Sequence, residues 1–309
     1  MKKDFLTLDD LKRDEILKIL DLAAELKKKP IGNQLHRKVF CLFFEKSSTR
    51  TKLSFMTGIE QLGGSSIYFD VSTSQLSRGE TIEDSARVLD RYVDAVIARV
   101  YSHETLEIMS KITDIHVINA LSDIAHPCQI LSDLFTIKEK FGDFKGLKLA
   151  YIGDGNNVCN SLLLGCAKVG INIDVACPKG YKPNTQMIHR AVDYSKITKI
   201  DVNILDDPIK AVKNANIIYN DTFISMGDEK EKEKRLKVFI PKYQVNHKLM
   251  NYASSDVLYM HCLPAHRGEE VTDDIIDGPR SIVWDQAENR LHVQKALLVK
   301  LMGTRIPSL

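Results

Sequence analysis

"KVFCLFFEKSSTRTKLSF", residues 38–55, runs from an apolar stretch through a polar joint into a helix-like pattern. The apolar part, 38–44, reads as a buried strand, and Ser48-Thr49-Arg50-Thr51 sits where that strand hands over to a helix. A helix N-terminus exposes unpaired N–H groups and the positive end of the dipole, which makes it an anion site. Ser48, Thr49 and Thr51 add hydroxyl donors, and Arg50 adds a planar charged fork suited to phosphate oxygens. Plain N-capping by Ser or Thr is the competing explanation, but it uses one hydroxyl and leaves Arg50 unexplained.

The same strand-then-helix grammar continues along the chain. "SSIYFD", "DAVIAR" and "IHVINA" read as strands in the first half; "LKLAYIG", "INIDVACP", "DVNIL", "NIIYND", "VLYMHC" and "SIVWD" read as strands in the second. Helical candidates at 52–62, 81–92, 103–111, 158–169 and 184–195 fall between them. Strands separated by helices imply parallel sheets with helices on both faces. The expected fold class is therefore α/β, with two domains, each a parallel sheet flanked by helices. The charged, Gly-containing "KEKFGDFKGLK" at 138–148 marks the joint. Boundaries of 1–140 and 141–290 follow, with 291–309 a C-terminal helix packing back on the first domain. The dense mixed-charge run "DEKEKEKRLK", 228–237, reads as a solvated loop or helix face.

Composition narrows the function classes. The 309 residues suit about two domains, and 43 basic against 41 acidic residues leave a net charge of +2. That balance argues against an electrostatic nucleic-acid binder, yet permits a local basic pocket for a small anion. The N-terminus lacks the apolar core of a signal peptide, and no apolar run approaches bilayer length. The six cysteines show neither C-x-x-C pairs nor zinc spacing, so a cytoplasmic, reducing compartment is expected and no metal is.

Three further stretches carry chemistry. In "HPCQ", 126–129, a helix starting at Pro127 would place His126 and Gln129 at its N-terminal end; a capped helix start with a satisfied His is the bland alternative. "DTFISMG", 221–227, sets an acid after a strand and before a Gly-containing loop, where open α/β sheets bind ligands; a turn is the alternative. "MHCLPAHRGEEV", 260–271, does the same with Cys262, which could equally be a buried thiol in a tight turn.

Together, in this order and spacing, these stretches resemble one family, the aspartate and ornithine carbamoyltransferases. "STRT" matches the family's carbamoyl phosphate signature, "HPCQ" its H-P-x-Q, and the likeness runs from "LTLDDL" to "AENRLHVQKALL". "D-x-x-x-SMG" and "HCLP" look like the ornithine branch. The aspartate branch would carry Pro-Arg to grip a second carboxylate, whereas Ala265 follows Leu263-Pro264 here. Asp221 suits a cationic α-amino group instead, a charge argument independent of the name.

The resemblance implies transfer of the carbamoyl group from carbamoyl phosphate to the δ-amine of L-ornithine, giving L-citrulline and phosphate, with no cofactor. By it, Ser48, Thr49, Arg50, Thr51, Gln75, Arg99, His126, Gln129 and Arg290 bind carbamoyl phosphate. Asn157, Asp221, Ser225, Met226, Cys262 and Leu263 match the ornithine side, and Arg50, His126, Asp221 and Cys262 the catalytic set. A Cys262 thiolate, if formed, could take the proton from the δ-amine. Gln75 lies in "STSQLSRGET", 72–81, which reads first as a surface loop; in the family it reaches a neighbouring subunit's site, implying a homotrimer or a multiple of trimers. No nucleic acid or membrane partner is expected. Departures are Lys52 for Arg, and Thr222-Phe223 for Val-Trp.

Other readings fit less well. "YIGDGNNVCNSLLLG" hints at a dinucleotide fingerprint, but its third Gly position is Val158, and Asp174 lies too early in its strand for a ribose contact. Putrescine lacks the α-groups that Asp221 and the SMG set would hold. A non-enzymatic binder would predict broken phosphate ligands, and Arg50, His126 and Gln129 all stand.

Overall fold

The run 39–44 is apolar without alternation, and that is the signature of a strand covered on both faces. The computed structural model describes residues 4–224 and 229–303, and in it Phe40, Cys41, Leu42, Phe43 and Phe44 are all buried. The chain divides into two units, one running up to Phe135 and resuming at Asn289, the other Thr136–Glu288.

The first unit runs α1 (Arg13–Lys28), β1 (Val39–Phe44), α2 (Thr49–Gln61), β2 (Ser65–Asp70), α3 (Ile82–Tyr92), β3 (Ala95–Arg99), α4 (His103–Ile112), β4 (His116–Leu121) and the start of α5 (Pro127–Phe141). Its four strands are parallel in the order β2-β1-β3-β4. Ser48, Thr81 and Ser102 each accept a backbone N–H at the start of a helix, as short hydroxyl side chains do. Segment 72–81 and the Val71 before it form two 3₁₀ turns, Val71–Thr73 and Gln75–Arg78, with Gln75 and Arg78 exposed. Cys41, Phe43, Val96, Ala98 and Val117 pack with Ala86, Leu89 and Leu106 into one of this unit's cores.

The second unit runs β5 (Lys148–Ile152), α6 (Asn157–Val169), β6 (Asn172–Ala176), α7 (Thr185–Thr198), β7 (Val202–Leu205), α8 (Pro208–Val212), β8 (Ile217–Asn220), α9 (Lys232–Phe239), α10 (His247–Met250), β9 (Leu258–His261), α11 (Asp273–Ile276) and the start of α12 (Val283–Met302). Its five strands are parallel in the order β7-β6-β5-β8-β9. From Asn289 onward α12 belongs to the first unit, where Lys295 donates to the Gln61 side chain and the Pro30 carbonyl. The expected return of the C-terminal helix to the first domain is therefore observed.

Two expectations need correction. "SIVWD" is not a strand: Ser281 makes a single bridge to Tyr259, and α12 begins at Val283. The β-rich composition of 281–284 yields to a 20-residue helix whose inner face is buried. The run 228–237 is not wholly solvated either. Lys232, Glu233, Lys234 and Lys237 are exposed, but Arg235 is buried on the inner face of α9, one turn before buried Phe239.

Candidate active site

In each sheet the first strand in the chain lies between two later ones, so the winding direction reverses beside it. Ligands of open parallel sheets bind outside the carboxyl ends of strands at such reversals. In the first unit these ends are the exits of β1, β3 and β4, which carry residues 48–51, Arg99 and His126.

Ser48 is the N-cap of α2, its Oγ accepting the Thr51 N–H at 3.3 Å. Capping thus accounts for one hydroxyl, as the sequence argument required. Thr49 is exposed, Arg50 half-buried and Thr51 buried. Arg290, from α12, donates to Thr51 Oγ1 and to Gln129 Oε1, both at 2.9 Å. Gln129 Nε2 in turn donates to Asp133 Oδ1 at 2.9 Å. Asp133, fully buried one helical turn along α5, therefore fixes which way the Gln129 amide faces. Sequence reading missed it, although its i,i+4 spacing from Gln129 was a usable signal.

His126 precedes Pro127, the first residue of α5, and is buried. Burial, reinforced by the Arg290 and Arg99 guanidiniums, holds its ring well below the ordinary imidazole value. Both causes favour the uncharged ring, a form that can donate and accept hydrogen bonds. Cys128 behaves differently: burial pushes its thiol up to about 12, and it donates to the Asn119 carbonyl at 3.3 Å. That cysteine packs rather than reacts. The first unit therefore gathers Thr51, Gln129 and Arg290 into one network, with Arg99 close enough to His126 to act on it.

In the second unit the exits of β5, β8 and β9 carry residues 153–156, Asp221 and Cys262. Asn156 caps α6: its Oδ1 accepts the Val158 and Cys159 N–H groups at 3.0 and 3.1 Å. The same side chain donates from Nδ2 to Asp221 Oδ2 at 2.7 Å. Cys262 Sγ lies 2.9 Å from Asp221 Oδ1, which places one proton between them. In that contact Cys262 is the thiol donor; a thiolate there would face the acid side chain. The second unit thus brings Asp221 and Cys262 together, and adds Asn156, one residue from the expected Asn157. Asn157 is the first residue of α6 and half-buried. N-cap preference for Asn was the signal that could have singled out Asn156. Ser225 and Met226 lie outside the described residues.

Leu263 has a left-handed backbone, φ 58°, and its N–H donates to His261 Nδ1 at 2.8 Å. That assigns the His261 proton to Nε2, which lies 3.3 Å from the fully buried Glu270 Oε1 without a hydrogen bond between them. Thr222 Oγ1 contacts His266 Nδ1 at 3.0 Å, and Phe223 stacks on Phe239, so the Thr222-Phe223 departure from the family pattern is accommodated within the second unit.

Ligand-type atoms of Asp221, His261 and Cys262 lie within 4.8 Å of one another, as do those of His266, Glu269 and Glu270. In the first group each side chain already has one of the internal contacts just described. The Gly153-x-Gly155 loop has a packing explanation: a Cβ on Gly155 would stand 2.2 Å from the Pro183 nitrogen. Asp174 pairs with Lys148 in mid-sheet.

Two family models match the chain. The carbamoyl-P binding domain of aspartate/ornithine carbamoyltransferases matches residues 3–139, and the family's Asp/Orn binding domain matches 145–301. The chain is 52% identical over 306 residues to the ornithine carbamoyltransferase of Methanocorpusculum labreanum, covering 98% of this chain and 99% of that protein. It is 53% identical over 300 residues to that of Bacillus subtilis, covering 97% and 94%. The solved ornithine carbamoyltransferase of Pyrococcus furiosus superposes with a TM-score of 0.94 at 48% identity, covering 98% of both chains.

Proposed function

The chain belongs to the aspartate/ornithine carbamoyltransferase family, and from that premise we propose how its own residues divide the work. The enzyme transfers the carbamoyl group of carbamoyl phosphate to the δ-amine of L-ornithine, giving L-citrulline and phosphate. The uncharged amine attacks the carbamoyl carbon, the carbonyl oxygen becomes an oxyanion in the tetrahedral intermediate, and phosphate leaves with the C–O bonding pair, taking up the proton that the newly bonded nitrogen gives up. The chain's task is to hold two reactants and to stabilise that charge.

In this reading residues 1–140 bind carbamoyl phosphate and 141–290 bind ornithine, and the extents of the two family models support the division. Ser48, Thr49, Arg50 and Arg99 hold the phosphate. Arg290 and Gln129 hold the carbamoyl end, their geometry set by Thr51 and Asp133. Neutral His126 donates to the carbonyl oxygen, joined by Arg50 and Thr51, and never needs to gain a proton.

Asp221 takes the α-ammonium of ornithine, with Ser225 and Met226 assigned to the same head group by the family pattern alone. Cys262 and Leu263 face the δ-amine. Because Cys262 donates to Asp221, it positions the amine instead of taking its proton. The observation that carries the ornithine reading is Asp221: an acid side chain at the exit of β8, oriented by an amide and a thiol, offers the acceptor that a cationic α-amino group requires. Gln75, exposed on its 3₁₀ turn, serves a neighbouring subunit of a homotrimer. A cytoplasmic location accords with six free cysteines. No helix among the described residues is long and apolar enough to cross a membrane.

Supplying L-ornithine labelled with ¹⁵N at the δ-position tests the assignment of the two amines. The label is expected in the ureido nitrogen of the product; a product carbamoylated at the α-nitrogen would overturn the role given to Asp221.

A further inference from the structure

Arg235 is out of place by composition: a buried guanidinium inside a run of exposed charges. Its Nε donates to the Phe223 carbonyl at 2.6 Å, and its Nη2 pairs with the Asp154 carboxylate. Its guanidinium carbon lies 4.9 Å from the Tyr181 ring centre and 5.7 Å from that of Phe239. One side chain therefore ties α9 to the segments leaving β5, β6 and β8, the three central strands of the second sheet.

Two of those ties bracket the Asp221 site. Phe223 stands two residues after Asp221, and Asp154 two residues before Asn156, whose amide holds Asp221. The charges divide in the same way. Asp154 and Asp221 both act on the buried Tyr151 and Cys159, so two carboxylates share this end of the sheet. Arg235 neutralises Asp154, whereas Asp221 accepts from an amide and a thiol.

We propose that Arg235 is the positioning and charge-selecting residue of the amino-acid half-site. It holds the Phe223 carbonyl on one side of the Asn156–Asp221 pair and the Asp154 side chain on the other, and it cancels Asp154 so that Asp221 alone is offered to the substrate's α-ammonium. Removing it loosens Asp221 and exposes a second, competing carboxylate. This rests on the assignment of Asp221 made above, and the residues that hold carbamoyl phosphate lie in the other unit.

The test uses the full-length enzyme with Arg235→Gln, Arg235→Lys and the double variant Asp154→Asn/Arg235→Gln. Steady-state KM is measured for each substrate, together with binding of L-norvaline, which carries the α-amino acid head but no attacking amine. Arg235→Gln should raise ornithine KM and norvaline Kd at least about ten-fold while carbamoyl phosphate KM stays within about two-fold. Arg235→Lys, which keeps the charge, and the double variant, which balances it, should each recover part of the loss. An unchanged ornithine KM overturns the proposal. So does a parallel rise in both KM values with a lowered Tm and no recovery by lysine, which is the pattern of a purely structural residue. If Arg235→Gln does not fold, Asp154→Asn decides: ornithine KM must rise alone. Wild-type enzyme that neither turns over ornithine nor binds norvaline would sink the functional reading itself, whereas normal wild-type turnover with unaffected variants sinks only the Arg235 proposal.

Discussion

Asn156 does two jobs with one amide, and substitution can separate them. Its Oδ1 caps α6 and its Nδ2 holds Asp221 at 2.7 Å. Serine caps as well as asparagine but has no donor long enough to reach Asp221, so Asn156→Ser should keep the helix and release the carboxylate. A hydrogen bond to a charged group contributes about 1.5–3 kcal/mol, and a lost cap costs about 1 kcal/mol more. Asn156→Ser should therefore destabilise by about 1.5–3 kcal/mol, and Asn156→Ala by about 1 kcal/mol beyond that. At about 1.4 kcal/mol per decade, the lost orientation of Asp221 should raise ornithine KM by about ten-fold or more in both variants. Urea unfolding gives the stabilities, and steady-state kinetics at saturating carbamoyl phosphate gives KM. Equal stability losses in the two variants would deny the cap. An unchanged ornithine KM in Asn156→Ser would refute the claim that the amide fixes Asp221.

Two other consequences follow from the same geometry. The His126 ring is held below its ordinary value, so between about pH 6.5 and its folded value the unfolded chain binds a proton that the native chain does not. Stability must therefore fall as pH drops through that window, and His126→Gln should flatten the acid side by up to about 1.4 kcal/mol per pH unit, read from urea midpoints at pH 5, 6 and 7; an identical pH slope would contradict the buried neutral ring. Because Cys262 donates to Asp221, Cys262→Ser should lower kcat by less than about 10²-fold with an unmoved pH profile. A shifted alkaline or acidic limb would show that the sulfur transfers a proton.

The architecture was legible where burial was two-sided. Runs such as "VFCLFF" and the "LAYI" of β5 are apolar throughout because helices cover both faces of their sheets, and both are strands. "IVW" at 282–284 has the same look, yet its backbone enters α12, since β-propensity reports fit to a pleated surface and not the length of the following helix. The candidate anion-binding residues stood out because hydroxyls and an Arg at a strand–helix joint have few structural uses. The residues that orient them were not. Asp133 is one acid in an apolar helix, and Arg235 is one cation among many; each is told from a surface charge only by which face of its helix is buried. Asn156 and Asn157 are adjacent and chemically identical, so only the capping geometry separates the one that holds Asp221.

The central claim is that this chain carbamoylates the δ-amine of an α-amino acid. Ureido-product formation from carbamoyl phosphate, with L-ornithine, putrescine and L-aspartate assayed in parallel, tests it most directly. Product with ornithine alone is the predicted result. Comparable product with putrescine would contradict the role of Asp221, and product with aspartate, or with none of the three, would contradict the assignment of the second unit as an ornithine site.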